Sequence, residues 1–213
     1  MGDASEWVPR GRALRTLESA ARRCQGCELW EDATQVVFGS GSRKASLMLV
    51  GEQPGDQEDR GGEPFVGPAG RVLHLAMDEA GIPPEDAYLT NAVKHFRHQT
   101  RGKRRIHQKP DLRHLVACEP WLEAELESVD PDVVVALGAT AGRAVLGRTV
   151  RIGAERGEPL AGTDDRVVVL TTHPSAVLRL RGKDGYAEAF AGLVDDLGVA
   201  LRAGSGGTGT VNT

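Results

Sequence analysis

The stretch "SLMLVGEQPGDQEDRGGEPFVGPAG" (residues 46–70) decides how this chain folds. It opens on "SLMLVG", a largely apolar run without alternation, the pattern of a short strand covered on both faces. A loop dense in glycine and proline follows. It feeds "GRVLHLAMDEAG" (70–81), whose apolar residues recur at helical spacing. A buried strand, a crossover loop and a helix make the unit from which α/β sheets are built.

Working outward, "AYLTNAV" (87–93), "DVVVALG" (132–138) and "RVVVLTTH" (166–173) read as three more buried strands. Helical patterns lie in "DLRHLVACEPWLEAELESV" (111–129), "ATAGRAVLG" (139–147) and "YAEAFAGLVDDLGVAL" (186–201), with another near 12–23. This alternation predicts a three-layer α/β/α sandwich with a central four-stranded parallel sheet and right-handed crossovers. Pro120 is expected to end or kink the long helix, or to stand in the first turn of a restarted one. Residues 1–202 are expected to form a single domain, and "AGSGGTGTVNT" (203–213) reads as a flexible low-complexity tail. In such sheets ligands bind beyond the carboxyl ends of the strands, so function is sought in the loops after Val50, Thr90, Leu137 and Thr172.

The bulk numbers, 213 residues with 40% hydrophobic and 26% charged, suit one globular domain with a sizeable core. No apolar run approaches the ~18 residues of a membrane span. The opening "MGDASEWVPRGRALR" lacks the apolar core of a signal peptide, so a cytoplasmic location is expected; a monomer is expected as well. A net charge of −4 and a pI near 5.9 exclude a globally basic nucleic-acid binder. The charge is uneven, however. Lys94, Arg97, Arg101, Lys103, Arg104, Arg105, Lys109 and Arg113 cluster against one acid, Asp111. A basic patch on an acidic protein reads as a placed polyanion contact, or more plainly as solvated surface. Within it "GKRRIHQKP" (102–110) follows neither helical nor strand periodicity and reads as a loop, with His107 at its centre.

Two signals remain open at this level. Cys24 and Cys27 have the Cys-x-x-Cys spacing of a metal-ligand pair, and with the distant Cys118 they leave a four-coordinate site one ligand short. The glycine-rich loop has neither the Gly-Lys-Ser/Thr ending of a Walker loop nor Gly-x-Gly-x-x-Gly, so it is an anion cradle of another kind or only a crossover.

"GEQPG", "EPFVGPAG", "LTNAVK" and "HPSAVLR" (173–179), in this order and at strand ends, resemble the motif set of the family 4 uracil-DNA glycosylases, iron–sulfur members of the uracil-DNA glycosylase superfamily. The likeness runs from Cys24 to about Leu201. "KRRIH" (103–107) is absent from ordinary members and resembles the UdgX branch, which links itself covalently to DNA at uracil. Family members carry a cysteine just after "NxVK", and here His95 stands in that place. The resemblance thus implies that Cys24, Cys27, His95 and Cys118 hold a [4Fe–4S] cluster, where residue types alone would suggest zinc.

An enzyme acting on a base must flip it out and read its edge. The resemblance puts Asn91 on the O4/N3–H edge of uracil, Phe65 against the ring face and His173 at O2. It puts Ser175 on phosphate, and Arg179 on phosphate or in the gap left by the flipped nucleotide. Gln53 and Asp56 are further candidate substrate contacts. Glu52 either positions a water for C1′ or bonds a histidine, while Glu58, Asp59 and Glu63 read as solvated. Lys103, Arg104 and Arg105 are expected on DNA phosphates. His107 is expected where the attacking water would stand, so that its imidazole captures the sugar cation. The implied function is excision of uracil from DNA, single-stranded included, with release of uracil and self-trapping through His107. Two other readings remain: an ordinary multiple-turnover glycosylase, and a non-catalytic sensor of uracil-DNA.

Overall fold

The computed structural model describes residues 2–162 and 166–205. Its strands are β1 (Ser40–Gly41), β2 (Leu47–Gly51), β3 (Ala87–Asn91), β4 (His98–Arg101), β5 (Arg104–His107), β6 (Val133–Leu137), β7 (Pro159–Ala161) and β8 (Val167–Thr171). Its α-helices are α1 (Leu14–Ala21), α2 (Leu29–Asp32), α3 (Asp56–Gly61), α4 (Pro68–Glu79), α5 (Leu112–Val129), α6 (Ala139–Leu146), α7 (Ile152–Glu155), α8 (Pro174–Leu178) and α9 (Tyr186–Ser205).

The four expected strands form a parallel core in the order β3-β2-β6-β8. Each strand is buried, yet its side chains still alternate between two cores. Met48, Val50, Val134, Ala136, Val168 and Leu170 face the layer that includes α1, α5 and α6. Leu47, Leu49, Val133, Val135, Leu137 and Val169 face the layer of α4, α8 and α9. Hence the sandwich has three layers. The sheet is six-stranded rather than four-stranded, because short antiparallel strands β1 and β7 close its two edges. They carry no buried apolar run and leave no periodic trace.

Two local expectations are corrected and a third is narrowed. Of the readings open to Pro120, neither an end nor a restart of the long helix occurs; α5 passes through it. The carbonyl it leaves without an amide partner belongs to Val116, which is 54% exposed and faces water. Residues 102–110 are not simply loop, since β4 and β5 form a two-stranded antiparallel hairpin in which His98 lies opposite His107. Gly102, at φ 60°, supplies the left-handed turn residue. Finally, α9 runs on through Ser205, so the first residues of the expected tail are helical. The flexible tail expected beyond them lies outside the described residues.

The strand order reverses between β2 and β6, and the carboxyl ends of both open onto one crevice. That switch point is where an open α/β sheet binds its ligand.

Candidate active site

A cleft of about 740 Å³ occupies this crevice. Its walls include Glu52, Gln53, Asp56, Phe65, Asn91, His107, His173, Ser175 and Arg179, which is every catalytic and substrate-contact candidate read from the sequence. Lys103, Arg104, Arg105 and the cysteines lie outside the lining.

The floor is made where β2 ends beside β3. Gly51 has no side chain, and a Cβ there would collide with Asn91 Oδ1 and lie 2.7 Å from Phe65 Cζ. Glycine thus leaves room for an amide and an aromatic ring at the cleft floor. Phe65 holds φ at 57°, a conformation a bulky residue adopts only under constraint from its surroundings. Gly70 provides part of that constraint, because any Cβ on it would overlap the Phe65 carbonyl. Glu58 ties the loop together by accepting from Gly55 N at 3.1 Å and Gly67 N at 2.7 Å. Glu58 and Asp59 are therefore buried rather than solvated, whereas Glu63 is exposed.

Asn91 is braced from behind. The ammonium of Lys94 donates to the Asn91 carbonyl at 2.7 Å and to Thr90 Oγ1 at 2.8 Å, and it pairs with Glu125. Lys94 is 0% exposed, so it is no part of the surface basic patch to which its sequence position assigns it. Glu125 also accepts from Gly39 N and from the hydroxyls of Tyr88 and Thr90, which satisfies a carboxylate that burial would otherwise penalise heavily.

His173 caps α8. Its Nδ1 accepts from Ser175 N at 3.1 Å and lies 2.8 Å from Ser175 Oγ. An Nδ1 that accepts leaves the ring proton on Nε2, which makes that nitrogen a hydrogen-bond donor. Burial, with His107 and Arg179 adding to it, pushes the His173 imidazole down to about 4, so it is neutral at physiological pH. Ser175 is already engaged in holding this tautomer, an occupation different from the phosphate contact expected of it.

The hairpin presents His107 from the opposite wall. Its Nε2 stands 3.7 Å from Glu52 Oε1, and its ring lies 6.0 Å, centroid to centroid, from the buried ring of Phe96. Burial lowers the His107 imidazole from its usual value and Arg179 adds to this, against the opposing pull of Glu52. The second Glu52 oxygen accepts from the hydroxyl of Thr140, in the first turn of α6. Gln53 lines the cleft and also reaches the hairpin: its amide accepts from Arg97 N and donates to the carbonyls of Arg97 and Gln108. Asp56 likewise bonds Arg105 at 2.5 Å and Arg60 at 3.0 Å. Burial raises its carboxyl, but these two guanidinium bonds outweigh that and hold it below the ordinary range.

Arg105 is not a free phosphate contact. It also bonds the fully buried Asp59 at 2.6 Å and Thr34 Oγ1 at 2.9 Å, and its guanidinium lies over the Phe96 ring. Lys103 and Arg104 remain exposed on the hairpin.

Comparison with known proteins assigns this architecture. The model of the Uracil DNA glycosylase superfamily matches residues 38–198. Over 176 residues the chain is 37% identical to a type-4 uracil-DNA glycosylase of Thermotoga maritima, covering 82% of this chain and 88% of that protein. This chain belongs to the family 4 uracil-DNA glycosylases. A type-4 enzyme of Pyrobaculum aerophilum is 33% identical over 180 residues, 80% of this chain and 88% of that protein. A type-5 enzyme of the same organism is 30% identical over 153 residues, 65% and 63% of the two. Among the described residues no helix is long and apolar enough to cross a membrane.

The cysteines of the glycosylase lie outside the cleft lining. Trp121 Nε1 donates to Cys24 Sγ at 3.2 Å, and Lys94 N donates to Cys118 Sγ at 3.3 Å. Burial raises the thiol of Cys27, and pushes that of Cys118 up to about 12. Cys24 and Cys27 stand close enough to Cys118 to act on it electrostatically. His95, one residue after Lys94, is buried and held neutral, with burial pushing it down to about 4. His114 pins the Cys-x-x-Cys loop to α5, bonding Glu28 at 3.0 Å. Among the described residues, no three His, Cys, Asp or Glu side chains converge where one metal ion would sit. A cluster asks for something different, since each ligand takes its own iron. The buried thiols of Cys24 and Cys118, each with an N–H donor aimed at sulfur, fit such a group, and His95 follows the donor Lys94 in the chain.

Sequence reasoning missed Thr140, Phe96 and the Lys94–Glu125 pair. Glu125 carried a legible signal, as a charge on the face of α5 that also bears Trp121, Leu122 and Val129. Thr140 stands two residues past a strand-end glycine, in the first turn of the helix that opens after Leu137, a strand end already marked for reading.

Proposed function

We propose that this glycosylase excises uracil and is then trapped on the DNA by a bond from His107 to the deoxyribose C1′, as in the UdgX branch. The observation that carries the reading is the approach of His107 to Glu52 inside the cleft, with the imidazole biased to its neutral form. Asn91 reads the O4/N3–H edge of the flipped base and Phe65 covers its face. The N1–C1′ bond breaks with its electron pair going to uracil. His173 donates from Nε2 to O2 and stabilises the charge that develops there. The sugar is left as an oxocarbenium-like cation. The lone pair of the neutral His107 ring attacks C1′, and the Glu52 carboxylate balances the imidazolium so formed. An N-linked imidazole on C1′ has no neighbouring acid to expel it, so turnover stops at one event. Uracil leaves and takes its proton from solvent.

Lys103 and Arg104 hold the hairpin against phosphates, and Arg179 contacts the backbone or fills the gap left by the base. Gln53, Asp56 and Arg105 position the hairpin instead of touching DNA. Cys24, Cys27, His95 and Cys118 would hold a [4Fe–4S] cluster, which ties the Cys-x-x-Cys loop, the strand-end segment after Asn91 and α5 together. The protein acts as a cytoplasmic monomer with access to DNA, including single strands.

One denaturing gel tests the trapping. Protein mixed with a single-stranded uracil oligonucleotide should yield a product that survives SDS, urea and heat, never exceeding one per protein. Free abasic DNA with repeated turnover would instead make it an ordinary family 4 enzyme. Binding without uracil release would make it a sensor.

A further inference from the structure

We propose that Thr140 is a positioning residue for the glycosylase reaction, fixing the Glu52 carboxylate so that its free oxygen faces the sugar. The inference rests on the reading that Glu52 acts at C1′ or on His107. Glu52 follows β2 directly, and Val93 N holds its backbone carbonyl at 3.1 Å. Its side chain has flexible torsions and would sample several rotamers in an open cleft. Oε2 accepts from the Thr140 hydroxyl, while Oε1 is the oxygen turned to His107. With one oxygen anchored, the other has a defined place.

The fold brings Thr140 to that position deliberately. β6 lies next to β2, so the loop after β6 overhangs the loop after β2. Gly138 makes the turn at φ 88°, and it packs so close to His173 that a Cβ would come within 3.0 Å of His173 Cβ. Helix α6 can therefore begin at the cleft edge, with Thr140 only 7% exposed in its first turn. The branched Cβ of threonine limits χ1 in a helix to two main rotamers, which narrows the positions its hydroxyl can take. Both residues line the cleft from neighbouring strands, one on each side of the switch point.

The test is single-turnover kinetics on a uracil oligonucleotide, following uracil release and SDS-stable adduct separately. The proteins are wild type, Thr140→Val, Thr140→Ala, Thr140→Ser, Glu52→Ala and the double variant Thr140→Val/Glu52→Ala. Thr140→Val, or Thr140→Ala if the valine variant folds poorly, should lower the maximal rate roughly tenfold, the worth of a hydrogen bond to a charged group. The DNA concentration at half-saturation should not move. Thr140→Ser should restore most of the rate, and Thr140→Val should add nothing in the Glu52→Ala background. A wild-type rate in both Thr140→Val and Thr140→Ala, or an equal further loss without Glu52, would overturn the proposal. If wild type forms no adduct, the trapping reading fails, and the same series in uracil release still decides the role of Thr140.

Discussion

Gln53 and Gln108 are joined across the base of the hairpin, the Gln53 amide donating to the Gln108 carbonyl at 3.0 Å. The same amide bonds both backbone groups of Arg97, so one side chain next to Glu52 closes both ends of the segment that carries His107. Its placement makes Gln53 a brace. Gln53→Ala removes three hydrogen bonds, each worth about 1 kcal/mol net. The expected outcome is slower adduct formation together with a lower melting temperature, about 2–4 °C for each kcal/mol lost in a domain of this size. Uracil release should suffer less than capture, because the floor and His173 are untouched. Stopped reactions scored for both products check this, and an equal loss in both would return Gln53 to substrate binding.

The basic residues of the hairpin should separate into two classes. Arg105 is held by Asp56 and by the fully buried Asp59, so Arg105→Ala leaves a buried carboxylate unpaired. Removing one partner of such a pair costs about 3–5 kcal/mol, and a clear drop in melting temperature is expected. Lys103→Ala and Arg104→Ala should leave stability alone and each reduce the salt slope of DNA binding by about 1. Thermal melts and binding titrations over a salt series distinguish the two. A salt-slope change in Arg105→Ala without destabilisation would contradict the assignment.

The parallel strands were open to sequence reading because each is a short β-branched or apolar run bounded by turn residues. What lay beyond reach was fixed by tertiary contact. The hairpin has no apolar face of its own, and it stands because Gln53, Asp56, Asp59 and Phe96 hold it. For the same reason Arg105 looks like a DNA contact in the chain and is a strut in the fold. Lys94 reads as one more surface cation until Glu125, distant in sequence, is seen beside it. The cleft residues of the strand-end motifs were legible by type and place. Their partners, such as Ser175 for His173, were not.

Gly51 is predicted to be intolerant of any side chain. Gly51→Ala would push a methyl into Asn91 Oδ1 and the Phe65 ring. Excision should fall by at least roughly 10²-fold, comparable with loss of a transition-state donor. Far-UV circular dichroism should be unchanged. Near-normal excision by Gly51→Ala would show that the floor can give way.

The histidines set a pH dependence. His173 is lowered to about 4 in the folded protein against an ordinary 6.5, so the unfolded chain binds the extra proton first. Its contribution to stability is complete above 6.5, and is lost progressively as pH falls from there toward 4. His107 is displaced in the same direction. Adduct formation should therefore decline as pH falls, with its midpoint below the ordinary imidazole value. A single-turnover pH profile checks this, and a midpoint at or above the ordinary imidazole value would contradict the neutral-nucleophile account.

The most direct measurement is the fate of DNA in His107→Gly. Removing the imidazole opens space beside Glu52 for water, so the variant should lose the SDS-stable adduct, still release uracil and turn over repeatedly. Mass spectrometry of the digested wild-type adduct should place the sugar on the peptide containing "IHQK" (106–109). An adduct on any other residue, or one that persists undiminished in His107→Gly, would contradict the claim that His107 captures the sugar.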